Sequence, residues 1–271
     1  MSVVSLTTAR RLARPGIGSL RPTRVVERNV RAYRRTWLIL ASGFFEPVLY
    51  LLAIGVGVGE LVGDLPGPGG EPVPYDQFVA PAMLVSAAMT GAIADTTFNF
   101  FVKLQYGHTY DAMLATPLRA RDVAYGEVSW ALIRGALYAA AFLIVMAAFG
   151  LVPSWWGLLT VPVALLVGFA FAGVGLAATT FMRSFVDFDF VQLAIMPLFL
   201  FSATFFPLAR YPAALEAVVQ ISPLYQGVAL SRAAVFGDLQ PGMIWHVVYL
   251  AVMGWIGVQI ATRRLHKLLL P

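Results

Sequence analysis

The sequence predicts an all-α polytopic membrane protein that crosses the bilayer six times. Three observations carry this. Of 271 residues, 59% are hydrophobic and only 12% charged, with a mean hydropathy of +0.76. A soluble domain carries about 25% charged residues, so too few polar groups remain to cover a surface facing water. The apolar residues gather into six runs, most of them near the ~20 residues that cross the hydrocarbon as a helix. Finally, Lys and Arg fall on one side of the topology those runs imply. Soluble-enzyme readings are excluded at this point. The chain has no cysteine, which removes disulfides, iron–sulfur clusters and Cys-ligated zinc. His108, His246 and His266 have no ligand-like spacing.

Residues 1–21 are rich in Arg, Ser and Thr and read as a cytoplasmic tail. Nine of the 19 Lys and Arg lie between Arg10 and Arg35. On a soluble protein that charge would suggest nucleic acid; ahead of an apolar run it is a flank facing lipid headgroups, with no nucleic-acid partner. Over 24–37, Val25, Val26, Val30, Tyr33 and Trp37 fall in one sector of about 140° on a helical wheel, opposite the arginines. An interfacial elbow helix is expected, the other reading being a plain extension of the first span. The spans cover about 37–58, 78–102, 126–149, 156–181, 190–208 and 244–262, in a membrane domain at 22–262 followed by a tail at 263–271. With the N-terminus inside, the inner segments hold Lys103, Arg119, Arg121, Arg183, Arg263, Arg264 and Lys267, and the outer ones only Arg210 and Arg232. The loop 59–77 has Glu60, Asp64, Glu71 and Asp76 and no base. Both termini are expected in the cytoplasm of a multi-pass plasma-membrane protein. Residues 207–242 are semi-apolar and broken by Pro212 and Pro223. They predict two short helices in an outer re-entrant hairpin, with Leu215, Val218 and Val219 on one face.

No G-x-x-x-x-G-K-[ST] run is present, and neither Lys103 nor Lys267 follows a glycine. The chain therefore has no P-loop, and ATP-driven work would need a separate ATPase. Gly55, Gly57 and Gly59 follow a membrane run rather than a strand, so close helix packing is expected there, as at Gly168, Gly173 and Gly175. Glu46, Asp95, Glu127 and Arg134 lie in or near apolar runs, where a charge is paired or faces water. Glu127 and Arg134 are seven residues apart, roughly on one face. They are expected to pair, with Asp95 or Glu46 as alternatives for Arg134, in a structural ion pair or a polar patch on a transport path. In the segment 103–125, Thr109 can cap a short helix. Tyr110, Met113 and Leu114 then form its apolar face and Pro117 ends it. With little protein of its own to pack on, this helix is expected to lie on the membrane or dock in a partner's groove.

The run Tyr110-Asp-Ala-Met-Leu-Ala-Thr-Pro-Leu, then Asp122-Val and Gly126-Glu-Val-Ser-Trp130, resembles the cytoplasmic signature of type-2 ABC transporter permeases of the NodJ/lipooligosaccharide-exporter-like branch. Glu46-Pro-Val-Leu-Tyr-Leu-Leu, Ser202-Ala-Thr-Phe-Phe-Pro207 and Ile221-Ser-Pro-Leu-Tyr225 add to it, over about residues 25–262. The Ala-Thr-Pro-Leu block is the most specific part, and Asp95 stands where Glu is expected. The resemblance implies a six-span permease that dimerises with a second copy or a paralogue and pairs with two cytoplasmic ATPase subunits. ATP and Mg would sit on those partners, and this chain would bind no cofactor and perform no covalent chemistry. Thr109, Tyr110, Asp111, Met113 and Leu114 would couple to the ATPase. Spans 1, 2 and 5 would line the seam and substrate path. Phe205, Phe206, Pro207, Leu224 and Tyr225 would form the outer gate.

The function expected is export of an amphipathic, lipid-like or glycolipid substrate or a hydrophobic drug, in contact with membrane lipids. One rival is an ion-coupled secondary transporter using Asp95, Glu127 and Arg134, against which stand the low span count and the lack of visible inverted repeats. The other is a non-transporting membrane scaffold.

Overall fold

The structure, a computed structural model, describes residues 21–33 and 61–269, with 45, 48, 49, 51–53 and 57–59 between them. Residues 1–20, most of the expected first span and its Glu46 lie outside the described residues. Helix α1 (Arg21–Tyr33) precedes that gap. The acidic loop after it folds back through a two-residue antiparallel ladder, β1 (Leu65–Pro66) and β2 (Pro72–Val73). Helix α2 (Tyr75–Ala94) continues through two π turns, Asp95–Asn99 and Val102–Tyr106. Next come the short α3 (Thr109–Leu114) and the long α4 (Ala120–Ala148). A 3-10 turn, Trp155–Leu159, leads into α5 (Thr160–Thr179). The remaining helices are α6 (Asp187–Leu200), α7 (Ala213–Ile221), α8 (Pro223–Phe236) and α9 (Ile244–Leu269).

Four stretches among the described residues are long and apolar enough to cross a membrane: Tyr75–Tyr106, Ala120–Ala148, Trp155–Thr179 and Pro241–Leu269. They match the expected second, third, fourth and sixth spans. The fifth differs. Helix α6 has 14 residues, about 21 Å at 1.5 Å per residue, and stops at Leu200 rather than near 208. Pro197 inside it cannot donate to the helical ladder, and Ala203 adopts a left-handed φ of 56°, which no α-helix continues. The buried turn that follows is satisfied locally, since the Ser202 hydroxyl lies 2.7 Å from that of Thr204 and 3.0 Å from the Phe199 carbonyl.

Helix α5 is the centre of the bundle, packed by α2, α4, α8 and α9. Its closest approach is to α9, where a Cβ on Gly173 would collide with the Gly254 backbone and one on Gly257 with Gly173. Small residues at such crossings let backbones meet, as expected from the glycines of this span. By contrast, a Cβ on Gly57 or Gly59 would meet nothing within 4 Å, so close packing is absent there among the described residues. The rim is apolar and bare, for example Leu137, Ile144, Phe190, Leu193 and Trp255, as a lipid-facing surface requires.

The connections put two sets of ends together. At one end lie α1, α3, the start of α4 and the ends of α2, α5 and α9, with most of the Lys and Arg. At the other lie the acidic loop, the starts of α2, α5 and α9, the end of α4, and α7 with α8.

A candidate coupling site at the basic end of the bundle

Helix α3 starts at Thr109 after His108, whose left-handed φ of 42° turns the chain. Thr109 is the first helical residue and makes no cap, contrary to expectation. Tyr110 is fully buried and Met113 packs on the main core, while Asp111 is exposed and holds His108 at 3.0 Å. The helix therefore has protein of its own to pack on. It is anchored inward by Tyr110, and the surface left open is Asp111, Ala112, Ala115 and Thr116. Leu114 is half-buried beside it.

The anchor is Glu127 on α4. Its Oε1 accepts the Tyr110 hydroxyl at 3.0 Å; its Oε2 accepts Lys103 Nζ at 2.7 Å and Asn29 Nδ2 at 3.1 Å. Lys103 also donates to Asn29 Oδ1 at 3.3 Å. One buried carboxylate thus ties together α1, the end of α2, α3 and α4. A buried carboxylate with three donors including a cation has its desolvation offset. Burial, and then the Glu127 carboxylate, hold the Tyr110 phenol well above its ordinary pKa, so it stays a neutral donor. Helix α1 reaches this centre because it lies on α4, with Val25 against Gly126 and the Tyr33 ring 5.3 Å from Trp130. The sequence places Val30 on the buried face; it is 47% exposed, and Asn29 is buried instead.

Arg134, two turns along α4, pairs with Asp95 on α2 and not with Glu127. It also donates to the Tyr138 hydroxyl at 3.1 Å and lies 5.1 Å from the Tyr33 ring centroid. The expected Glu127–Arg134 pair fails for a geometric reason. Both side chains point at α2, so each meets an α2 charge of opposite sign rather than the other. Asn29 is not named from sequence, and Lys103 and Tyr33 are named only as an inner charge and as part of the apolar face of α1, not as members of this site. The signal available was charge order: acid then base along α2, acid then base along α4, which antiparallel packing pairs crosswise.

Between the first π turn, α5 and α6 lies an apolar cavity of about 440 Å³, lined by Thr97, Phe171, Val174, Phe181, Phe190 and Ile195 among others.

At the opposite end, Pro223 divides the α7–α8 segment as expected. Leu224 is fully buried and Tyr225 half-buried; Phe205 packs edge-on to Phe199 at 5.3 Å, and Phe206 lies 4.8 Å from Tyr211. Pro207 precedes a single 3-10 turn, Leu208–Arg210. Val219 is buried with Tyr211 and Ala203, whereas Val218 and Ile221 are exposed, so Val218 and Val219 do not share a face. Arg232 holds this end. It donates to the Phe78 carbonyl at 3.0 Å and the Thr204 carbonyl at 2.8 Å, with its guanidinium 3.6 Å from the Phe78 ring centroid.

The fold is that of a helical membrane protein with four stretches able to span a bilayer. Residues 23–236 match the family model for the ABC-2 type transporter, and the chain belongs to that family. Nodulation protein J of Rhizobium leguminosarum bv. trifolii is 33% identical over 93% of this chain and 97% of its own length. Nodulation protein J of Rhizobium meliloti is 29% identical over 91% and 93%. The inner membrane transport permease YadH of Escherichia coli is 21% identical over 78% and 80%.

Proposed function

We propose that this chain is the permease subunit of an ATP-driven exporter, moving an amphipathic lipid-like, glycolipid or hydrophobic drug substrate out across the plasma membrane. It works as a dimer, with a second copy or a paralogue, and its ATP and Mg are held by separate ATPase subunits. The observation that carries the reading is the burial of Tyr110 on Glu127. A short helix with one open face, wired through a single carboxylate to α1, α2 and α4, converts a push on that face into movement of the spans. ATPase docking falls on Asp111, Ala112, Ala115 and Thr116, flanked by Thr109, Met113 and Leu114.

The architecture in this reading has six spans. The run at 37–58 is the first, and α6 with the turn after it is the fifth. Helix α1 is the interfacial elbow, and α7 and α8 form the outer re-entrant hairpin, with both termini cytoplasmic. Non-spanning backbone at membrane depth is tolerated where it packs on protein, and α8 is buried along most of its length. The cavity beside α6 is a suitable resting place for an apolar tail. The gate has its accessible apolar face on Val218 and Ile221, beside Phe205, Phe206, Pro207 and Tyr225, while Leu224 only supports it. Pairing of Asp95 with Arg134 and of Glu127 with Lys103 favours a bundle-registering role for these charges over an ion-coupled carrier.

The test is co-purification followed by reconstitution in lipid vesicles. An ATPase chain should co-purify, and Ala112→Arg should release it while the permease still inserts. No associated ATPase, or unchanged association of the variant, would overturn the docking role.

A further inference from the structure

Helix α2 leaves α-geometry only at its basic end, where the two π turns lie. A π turn closes i→i+5 and carries one residue more than an α turn. On a regular α-helix, the eight residues from Asp95 to Lys103 would set these side chains about 80° apart. One inserted residue takes back about 100°, leaving about 20°. That is also the angle between Glu127 and Arg134, seven residues apart on the regular α4. The π turn is therefore what lets two antiparallel helices close Asp95–Arg134 and Lys103–Glu127 together.

Two further contacts act on the same stretch. From α5, the Thr179 hydroxyl lies 2.8 Å from the Thr96 carbonyl, inside the first π turn, and 2.8 Å from the Gly175 carbonyl of its own helix, so its one proton is shared between the two acceptors. Gly175 beside it leaves room for the Thr96 side chain, which any Cβ there would strike. On the face away from Glu127, rings of the π stretch meet the segment that opens α6. Phe101 lies 5.4 Å from Phe185 and 5.3 Å from Phe188, and Tyr106 stacks on Phe185 at 5.2 Å. Toward α3, Phe100 stacks on Tyr110 at 4.8 Å.

We infer that the π stretch of α2 is a register joint that passes movement of α3 to α6, and that Thr179 is the positioning residue that holds it. The inference rests on the permease reading above. A push on α3 reaches the joint through Tyr110, on Phe100 and on Lys103 by way of Glu127. Release of the Thr96 carbonyl from Thr179 frees the extra residue to move along the helix. Phe101, and Phe98 whose ring lies 6.2 Å from Phe185 and 5.7 Å from Phe188, are then re-aimed against those two rings, which redirects α6 and changes the cavity beside it.

The experiment is amide hydrogen exchange on the reconstituted permease–ATPase complex, nucleotide-free and vanadate-trapped with ATP. In the wild type, trapping should change exchange severalfold in both 95–106 and 185–190. Thr179→Val should raise resting exchange in 95–106 about tenfold and abolish the nucleotide-linked change in 185–190. Thr179→Ser, which keeps the hydroxyl, should restore both. A merely structural Thr179 would loosen α5 and leave the nucleotide-linked change in place, which overturns its role. An active wild-type ATPase whose trapping leaves 95–106 unchanged overturns the joint, whether or not the variants fold. An ATPase that is absent or idle in the wild-type preparation strikes the permease reading itself.

Discussion

Around Glu127 and Asp95, side chains bind side chains: Glu127 gathers Asn29, Lys103 and Tyr110, and Asp95 takes Arg134, although Arg264 at the same end rests on the Thr180 carbonyl and the Phe181 ring. At the other end, Arg232 is buried with no carboxylate within bonding reach among the described residues. It is held by two main-chain carbonyls and the Phe78 ring. The two solutions do different work. A carbonyl cannot move without its helix, so Arg232 pins the start of α2, the turn at Thr204 and α8 in one relation. Side-chain pairs can rotate and exchange partners while the helices stay folded. Under the proposed function, the exchangeable chemistry lies where the push would enter and the fixed chemistry where an outer seal would have to return to one position.

The comparison is broken most forcefully at Asp95–Arg134. Removing one member of a buried pair strands the other and costs about 3–5 kcal/mol. Arg134→Leu should lose stability of that order, read as the unfolding midpoint in detergent. Arg134→Leu with Asp95→Leu should recover most of the loss, whereas Arg134→Leu with Glu127→Leu should be worse than the single change, because Lys103 is then stranded too. Recovery by the Glu127 double change would return the pairing to the one expected from sequence.

At the opposite end, Arg232→Met removes the charge together with its donors and leaves the Phe78 and Thr204 carbonyls unpaired. Each unsatisfied buried acceptor costs about 1–3 kcal/mol, offset in part because no charge remains to desolvate. The net loss should be about 2 kcal/mol, below that of Arg134→Leu, and ATPase association should be unchanged. Release of the ATPase by this variant would remove the distinction between the two ends.

The fold was legible in sequence wherever periodicity and punctuation were strong. Apolar runs located four spanning stretches, Pro223 divided α7 from α8, and Gly173 marked the crossing with α9. The site was legible only by residue type. Glu127, Arg134, Asp95 and Tyr110 are all named, but the Arg134–Asp95 pair that forms is only the alternative there, and the Lys103–Glu127 pair is not foreseen. The reason is the π turn: on a straight helix Asp95 and Lys103 do not share a face, so nothing in the spacing paired Lys103 with Glu127. Asn29 falls inside the apolar sector of α1, about 40° from both Val25 and Tyr33, but its polar type keeps it from being read as a buried contact. The end of α6 at Leu200 is hidden because Phe201, Ala203, Phe205 and Phe206 carry the apolar run onward while the backbone turns at Ser202–Thr204.

The smallest expected effect sharpens the comparison from inside the basic end. Tyr110→Phe keeps the ring stacked on Phe100 and deletes one donor to a carboxylate, a bond worth about 1.5–3 kcal/mol. Lys103 and Asn29 remain on Glu127, so the loss should fall at the low end of that range. The pH dependence carries the sign of the shift. Tyr110 is held neutral when folded and ionises more readily when unfolded, near pH 10. Its contribution should be constant below that value. Above it, the advantage over Phe should erode by up to about 1.4 kcal/mol per pH unit. Unfolding midpoints of the two proteins at pH 7, 9 and 11 supply the check. A gap that stayed constant to pH 11 would mean that the Tyr110 hydroxyl reaches solvent in the folded protein, which overturns its burial on Glu127.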